Sequence, residues 1–151
     1  MQILYDQDIS PLPEDQRLLL QELAARVRTI HPLEGPVQLI LVGDAYMQNL
    51  NATYRGKNHT TDVLSFSLEL QDSDLPDLDA VGGEIYISLE RTRVQAAEQA
   101  VPLVEEMARL LIHGLLHLAG YDHDTPEKLH LMEQETDIIL KDAGLLTGMR
   151  E

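Results

Sequence analysis

Residues 102–119 form the segment that most constrains the fold, because their apolar side chains cover most of the circumference of a helix. These apolar residues are Leu103, Val104, Met107, Leu110, Leu111, Leu115 and Leu118. A helix with so wide an apolar surface is stable only when other elements cover it on several sides. Pro102 suits the first turn of such a helix, and Gly120 can end it in a left-handed conformation. We therefore expect a buried central helix around which the remaining chain packs.

The segments before and after this helix predict four strands that alternate with further helices. The strands are short, mostly apolar runs, predicted at residues 2–6, 37–42, 62–67 and 83–88. The other helices are predicted after Pro13 to Ile30, from Asp44 to about Tyr54, from Ser88 to about Gln99, and from Asp124 and Pro126 to Gly144. A length of 151 residues is ordinary for one domain. We therefore expect a single domain, residues 1–151, with an α+β (α/β-like) fold in which helices pack around a small four-stranded sheet.

The composition and charge narrow the class of protein. Hydrophobic residues make up 44% of the chain, which argues against disorder, and the absence of cysteine excludes disulfides and thiolate metal sites. No segment approaches the roughly 20 apolar residues of a membrane span, and the first residues do not resemble a signal peptide. We therefore expect a soluble cytoplasmic protein with no membrane partner. The formal net charge of −15 is opposite in sign to the basic excess of most nucleic-acid-binding proteins.

Three histidines at the end of the central helix predict a metal site. His113 and His117 are four residues apart, so they lie on one face of the helix, one turn from each other. Gly120 can turn the chain sharply, which would bring His123 back towards the first two. Three imidazoles with a water in the fourth position form an open zinc site of the catalytic type. We therefore expect one zinc ion per chain, bound by His113, His117 and His123, and a metal-dependent hydrolase.

The spacing of these histidines is similar to that of the metzincin zinc peptidases. The metzincin pattern H-E-x-x-H-x-x-G-x-x-H is matched by His113, His117, Gly120 and His123. However, Gly114 occupies the position of the glutamate that acts as general base in those peptidases. Because glycine cannot activate water, a metallopeptidase is a disfavoured alternative.

The full string H-G-L-L-H-L-A-G-Y-D-H, residues 113–123, instead resembles the YbeY family of bacterial rRNA maturation factors and single-strand endoribonucleases. Two other parts of the chain are similar to the same family. One is L-N-A-T-Y-R-G-K at 50–57 followed by T-D-V-L-S-F at 61–66, and the other is G-E-I-Y-I-S at 83–88. The resemblance spans about residues 38–142.

This resemblance implies a zinc-dependent endoribonuclease that acts on single-stranded RNA. The implied roles are maturation of the 3′ end of 16S rRNA and ribosome quality control, and the implied fold places a zincin-like metal site in a cleft of a small helix-covered sheet. The resemblance also implies that Arg55 is the non-histidine residue most closely tied to activity. Independently, Arg55 and Lys57 are two of only 11 basic residues and lie together before a predicted strand. Since a guanidinium can hold a phosphate through two hydrogen bonds, we expect Arg55 to be catalytic and Arg55 with Lys57 to bind RNA.

A non-catalytic role remains open beside the enzymatic one. In that alternative the chain is a zinc-containing ribosome-assembly factor, and zinc only braces the fold. The acidic composition suits it, because a basic ribosomal protein could then supply the docking contact. The sequence also leaves the attacking group open, either water activated by zinc or the 2′-hydroxyl of the RNA.

Several other polar residues are weaker candidates. Asp122 precedes a predicted ligand, and either it orients an imidazole or it caps the turn. Ser65 and Glu84 could face the edge of the core or the cleft, and Asp62 is expected to fix the loop that carries Arg55. The remaining histidines are expected to be solvated or capping residues; they are His31, His59 and His130.

Overall fold

The computed structural model describes residues 1–33, 35–55, 62–68 and 82–145, and of residues 54, 55, 67 and 68 the backbone alone. These ranges contain four strands and five helices, with β3 followed directly by β4 and the last three helices in succession. In chain order they are β1 (Gln2–Tyr5), α1 (Glu14–Ile30), β2 (Val37–Val42), α2 (Asp44–Arg55), β3 (Val63–Leu68), β4 (Gly82–Ser88), α3 (Leu89–Gln99), α4 (Leu103–Leu118) and α5 (Pro126–Asp142). The predicted α+β architecture with a four-stranded sheet is confirmed.

The four strands form one mixed sheet in the order β1-β2-β4-β3. β1, β2 and β4 run parallel, with Ile3, Leu39 and Ile85 at the same level, and β3 runs antiparallel to β4 along the other edge. The central strands β2 and β4 place apolar side chains on both faces of the sheet, with Leu39 and Ile85 on one face and Ile40 and Tyr86 on the other, as expected for strands that are covered on both sides. The sheet therefore needs helices on each face.

The two faces of the sheet pack against different helices. On one face, Leu39, Ile85 and Ile87 join the main core with side chains from α1, α4 and α5. On the other face a smaller cluster forms around Met47 of α2 and Leu64 of β3. Since a buried aliphatic side chain contributes about 1.5–3 kcal/mol, the main core provides most of the apolar stabilisation.

The predicted burial of the central helix α4 is confirmed. Met107, Leu111 and Leu115 of α4 have no exposed surface, and the helix contacts α1, α3 and α5 as well as β3 and β4. The helix approaches β4 closely, because Gly114 packs directly on Ile85. Leu118, in the last turn of α4, packs on Gly83 of the same strand, so the end of the helix that carries His113 and His117 lies against the sheet. Within the described ranges, every helix is too short or too polar to span a lipid bilayer.

The boundaries of the elements agree with the predictions to within about two residues, with one difference in capping. The last helix begins at Pro126, one of the two residues predicted to open it, but its cap is Thr125 and not Asp124; the Thr125 side chain accepts a hydrogen bond from the amide of Lys128 at 3.2 Å. Thr125 is the better cap because its backbone is extended while Pro126 already occupies the first helical turn. Ser88 caps α3 as predicted, with its hydroxyl accepting from the amide of Arg91.

Candidate metal centre

The first two predicted ligands lie on the last two turns of α4. His113 and His117 are both half-buried, and the residues between them, Gly114 to Leu116, are buried against the core. The apolar side of the helix is therefore used for packing, and the two imidazoles emerge together at the edge of that buried surface. The spacing of four residues produces this arrangement, because it brings side chains to the same face one turn apart.

A Schellman turn at the end of α4 redirects the chain, as the position of Gly120 predicted. The Gly120 amide donates to the carbonyl of His117 at 3.1 Å, and the Tyr121 amide donates to the carbonyl of Leu116 at 2.9 Å. This pair of bonds requires a left-handed residue at position 120, where φ is +107°. The chain consequently reverses within three residues and carries His123 back over the end of the helix.

The turn brings the three imidazoles into one cluster. The ring centroid of His123 lies 5.7 Å from that of His113 and 5.9 Å from that of His117. Three imidazoles that share one tetrahedral zinc would hold their centroids about 5 Å apart, given nitrogen–zinc distances near 2 Å. In the present side-chain positions, no three His, Cys, Asp or Glu residues of the described ranges form a group that could hold a metal ion. The cluster is thus slightly more open than a closed site, and His123 is its exposed member.

The surroundings of the cluster favour the neutral form of the His113 imidazole. Burial lowers the pKa of His113, and the neighbouring His123, His117 and Arg109 lower it further, whereas the carboxylate of Asp62 opposes the shift. Metal ions bind the neutral form of histidine, so a lowered pKa suits a ligand. The donor set therefore fits zinc, which accepts neutral imidazole nitrogen readily.

Asp122 acts as a cap for the turn and not as a residue that orients an imidazole. Its Oδ1 accepts hydrogen bonds from the amide of His123 at 2.6 Å and from the amide of Asp124 at 3.2 Å. The first of these bonds is the main reason that the pKa of Asp122 is lowered, and the second and nearby Lys128 add to it. Of the two roles that the sequence left open for Asp122, the structure supports the cap, which fixes the backbone of the third predicted ligand.

A cleft of about 370 Å³ adjoins His113 between α3, α4 and α5. Its lining is acidic, with Asp62, Glu106 and Glu133 among its residues, and Arg109 is the one Lys or Arg among the described residues around it. The guanidinium of Arg109 is engaged by Asp137 at 2.8 Å and lies 3.9 Å from Glu106. This cleft does not offer a free cation to a phosphate, so a phosphate at the cluster needs a cation from elsewhere in the chain.

The two basic residues that were predicted to supply this cation, Arg55 and Lys57, lie largely outside the described part of the structure. Arg55 is the last residue of α2, and its side chain is outside the described part of the structure. Lys57 lies in the segment 56–61, which is also outside it. The described chain resumes at Asp62, which lines the cleft beside His113. The roles of Arg55 and Lys57 therefore stay predictions.

Position 114, the site of the metzincin glutamate, faces the sheet. A Cβ atom there would lie 2.8 Å from Cγ2 of Ile85, closer than side-chain atoms normally approach. Glycine thus serves close packing of the helix on β4, and a glutamate has no space at this position. The structure adds a packing reason to the chemical argument against a peptidase.

The weaker candidates are distributed over both faces of the sheet. Glu84 accepts a hydrogen bond from the hydroxyl of Tyr86 at 3.3 Å and shares the α2 face with it, away from the histidines. Ser65 pairs with Ile85 and so lies on the face that packs against α4. His130 is exposed, and His59 lies outside the described residues.

His31 has contacts that sequence analysis missed. It follows α1 as its capping residue, as expected, but its ring also packs against Tyr121 and pairs with Glu135. No local pattern could have indicated these contacts, because the three residues are far apart in the chain.

The fold and the cluster together define an α+β protein whose candidate site consists of three histidines at the end of a buried helix. Comparison with known proteins identifies the family. The family model described as Endoribonuclease YbeY matches residues 6–144. The Endoribonuclease YbeY of Desulfitobacterium hafniense (strain Y51) is 39% identical over 145 residues, covering 89% of this chain and 92% of that protein.

The similarity extends to a plant relative and to a solved structure. The Endoribonuclease YBEY, chloroplastic, of Arabidopsis thaliana is 39% identical over 109 residues, covering 72% of this chain and 18% of that protein. The solution structure of TM1509 from Thermotoga maritima has a TM-score of 0.59 at 26% identity and covers 93% of this chain and 89% of that one. The chain therefore belongs to the Endoribonuclease YbeY family, as the histidine string and the T-D-V-L-S-F segment predicted.

Proposed function

We propose that this chain is a zinc-dependent endoribonuclease that cleaves single-stranded RNA, with ribosomal RNA as its substrate. The observation that carries the proposal is the convergence of His113, His117 and His123 within a chain that belongs to a family of endoribonucleases. We place its activity in maturation of the 3′ end of 16S rRNA and in ribosome quality control, in the cytoplasm. The partners in this proposal are RNA and the ribosome or a ribosomal protein.

His113, His117 and His123 would hold the zinc ion. The two helical imidazoles are fixed by the packing of α4, whereas His123 is exposed and can rotate to close the cluster. When bound, zinc supplies a Lewis acid that polarises a phosphoryl oxygen. The Asp122 cap and the Schellman turn keep the third imidazole close to the other two before binding, which lowers the entropic cost of forming the site.

Arg55 would hold the scissile phosphate through its guanidinium. The acidic cleft beside His113 provides no free Lys or Arg among its described residues, so we assign the phosphate contact to the basic pair Arg55 and Lys57. Arg55 ends α2, and the chain returns at Asp62 to the cleft beside His113. Two parallel N–H groups match two phosphate oxygens, and they stabilise the charge that accumulates there during cleavage. Lys57 would add a second contact to the RNA backbone.

The net charge predicts that the RNA contact is local. With a formal charge of −15, long-range attraction to RNA is absent, so binding rests on a few contacts at the site. Each neutralised phosphate contributes roughly one unit to the slope of log affinity against log salt concentration. We expect a slope of about −2 or shallower, and a steep slope would contradict a local contact.

Single-turnover cleavage of a single-stranded RNA tests the role of Arg55. Arg55→Ala should keep its metal and its fold but lose about 10²-fold or more in rate, as for the loss of one donor to a developing charge. Arg55→Lys should recover little of this rate, because an ammonium cannot replace the planar fork. Arg93→Ala, an exposed change on α3, is the matched control and should cleave like wild type. A wild-type rate for Arg55→Ala would refute the role of Arg55.

The acidic surface favours one second candidate, a non-catalytic ribosome-assembly factor whose zinc braces the fold. A basic protein would then dock on the acidic surface. The same cleavage assay separates the two functions. The variants to compare are His113→Ala, His117→Ala, His123→Ala and Arg55→Ala. If all of them cleave like wild type, the cleavage comes from a contaminant and the assembly role is favoured.

A further inference from the structure

Tyr121, two residues before His123, packs against a residue from a distant part of the chain, which in turn contacts a third segment. The ring of His31, at the end of α1, meets the Tyr121 ring edge to face with centroids 5.3 Å apart and planes at 88°. Nε2 of His31 lies 3.7 Å from Oε1 of Glu135 on α5. His31 therefore contacts both Tyr121 and Glu135.

Hydrogen bonds at the end of α1 hold the backbone on both sides of His31. Its amide donates to the carbonyl of Val27 at 2.7 Å at the end of α1. The guanidinium of Arg28 then ties the following loop down, donating to the carbonyl of Leu33 at 3.0 Å and to that of Gly35 at 2.6 Å. With side-chain exposures of 18% and 25%, His31 and Glu135 are mostly covered where they meet. These contacts connect three elements at the turn that carries His123.

We propose that His31 and Glu135 are positioning residues, which clamp Tyr121 and thereby fix the turn that presents His123 to the metal. The proposal rests on the assignment of His113, His117 and His123 as ligands. His113 and His117 belong to a buried helix and need no further support. His123 is exposed on a turn beyond Gly120, so its position depends on what holds that turn.

The clamp acts on the backbone through Tyr121. The Tyr121 amide already closes the Schellman turn on Leu116, so a fixed Tyr121 side chain restricts the chain on both sides of the turn. Ordering this turn before metal binding removes an entropic cost from the binding step. Residues that contact and orient metal ligands without binding the metal themselves typically contribute a factor of about 10 to 100 to metal affinity. Loss of the clamp should therefore weaken zinc binding without removing any ligand.

Three variants and one control separate the parts of the clamp. His31→Ala removes the ring and the pairing with Glu135, His31→Phe keeps a ring against Tyr121, and Glu135→Gln removes the charge but keeps the size. His130→Ala, an exposed histidine on α5, is the matched control. Zinc affinity is measured by competition with a chromophoric chelator, and thermal unfolding of the metal-free proteins reports on the fold.

We expect the zinc dissociation constant of His31→Ala to rise about tenfold or more. His31→Phe and Glu135→Gln should each show a smaller rise of about threefold, since each keeps part of the clamp. The visible absorption of the cobalt-substituted proteins should lose intensity in the same order, because a site whose third imidazole is held less firmly admits additional water and is less completely four-coordinate. His130→Ala should match wild type in every measurement.

Two results would overturn the clamp. One is zinc affinity within twofold of wild type for His31→Ala, while His123→Ala loses zinc. The other is a loss of affinity in all three variants that follows the unfolding temperature of the metal-free protein, with no recovery in His31→Phe, since this would mean a general loss of structure. If wild type itself binds no zinc, or if His123→Ala binds as tightly as wild type, the ligand assignment fails first.

Discussion

Replacement of Gly114 by alanine is expected to destabilise the fold, although alanine is the better helix former. The added methyl group would lie 2.8 Å from Cγ2, 3.0 Å from Cδ1 and 3.1 Å from Cγ1 of Ile85. Ile85 is fully buried on a central strand and cannot move away freely. Overpacking of this kind costs about 1–3 kcal/mol, whereas the gain in helix propensity is about 1 kcal/mol. Because the methyl group would meet three atoms of a side chain that is fully buried, we take the upper part of the overpacking range, about 2–3 kcal/mol, and expect a net loss of about 1–2 kcal/mol in the free energy of unfolding.

Denaturant unfolding of a double-mutant cycle tests this reasoning. Ile85→Ala alone should cost about 2–5 kcal/mol, because it leaves a cavity between α4 and β4. In that background Gly114→Ala should be neutral or stabilising, since the three atoms it would meet are gone and only the helix propensity remains. The reasoning is refuted if Gly114→Ala alone is as stable as wild type, or if it costs the same with and without the Ile85 side chain.

Two further changes test the supports of the site. Gly120→Ala should lower the free energy of unfolding by about 1–2 kcal/mol. A side chain has space at position 120, but a φ of +107° would strain the backbone of any residue other than glycine. An unchanged denaturation midpoint would contradict this strain. Arg109→Ala should cost about 2 kcal/mol or more, because it leaves Glu106 buried without this cation. The exposed pair of Arg17 with Glu14 provides the control, since Arg17→Ala should cost less than about 1 kcal/mol; equal losses for the two arginines would show that burial does not matter here.

The elements of the fold were predictable because their signals are local. The apolar surface of α4 predicted its burial, and the short apolar runs predicted all four strands. Gly120 predicted the turn that brings His123 back, because glycine adopts the left-handed conformation without strain and this preference can be read from a single residue. Three residues of the candidate site could thus be found from spacing alone.

The arrangement of the elements was not predictable, because it depends on pairing between distant segments. Nothing in the sequence shows that β4 lies between β2 and β3, or that α2 covers the opposite face of the sheet from α4. Glu105 and Glu106 are almost fully buried on α4, although their charge predicts exposure. The contacts of His31 with Tyr121 and Glu135 depend in the same way on the packing of three separate elements.

Titration of metal-free protein with zinc, followed by single-turnover cleavage of a single-stranded RNA, tests zinc dependence most directly. The cleavage rate should rise in proportion to added zinc and reach a plateau at one equivalent per chain. His123→Ala, which keeps both helical histidines, should reach no comparable plateau, while His130→Ala should follow wild type. Full cleavage by protein shown to be free of metal would contradict zinc-dependent cleavage, and so would a plateau for His123→Ala equal to that of wild type.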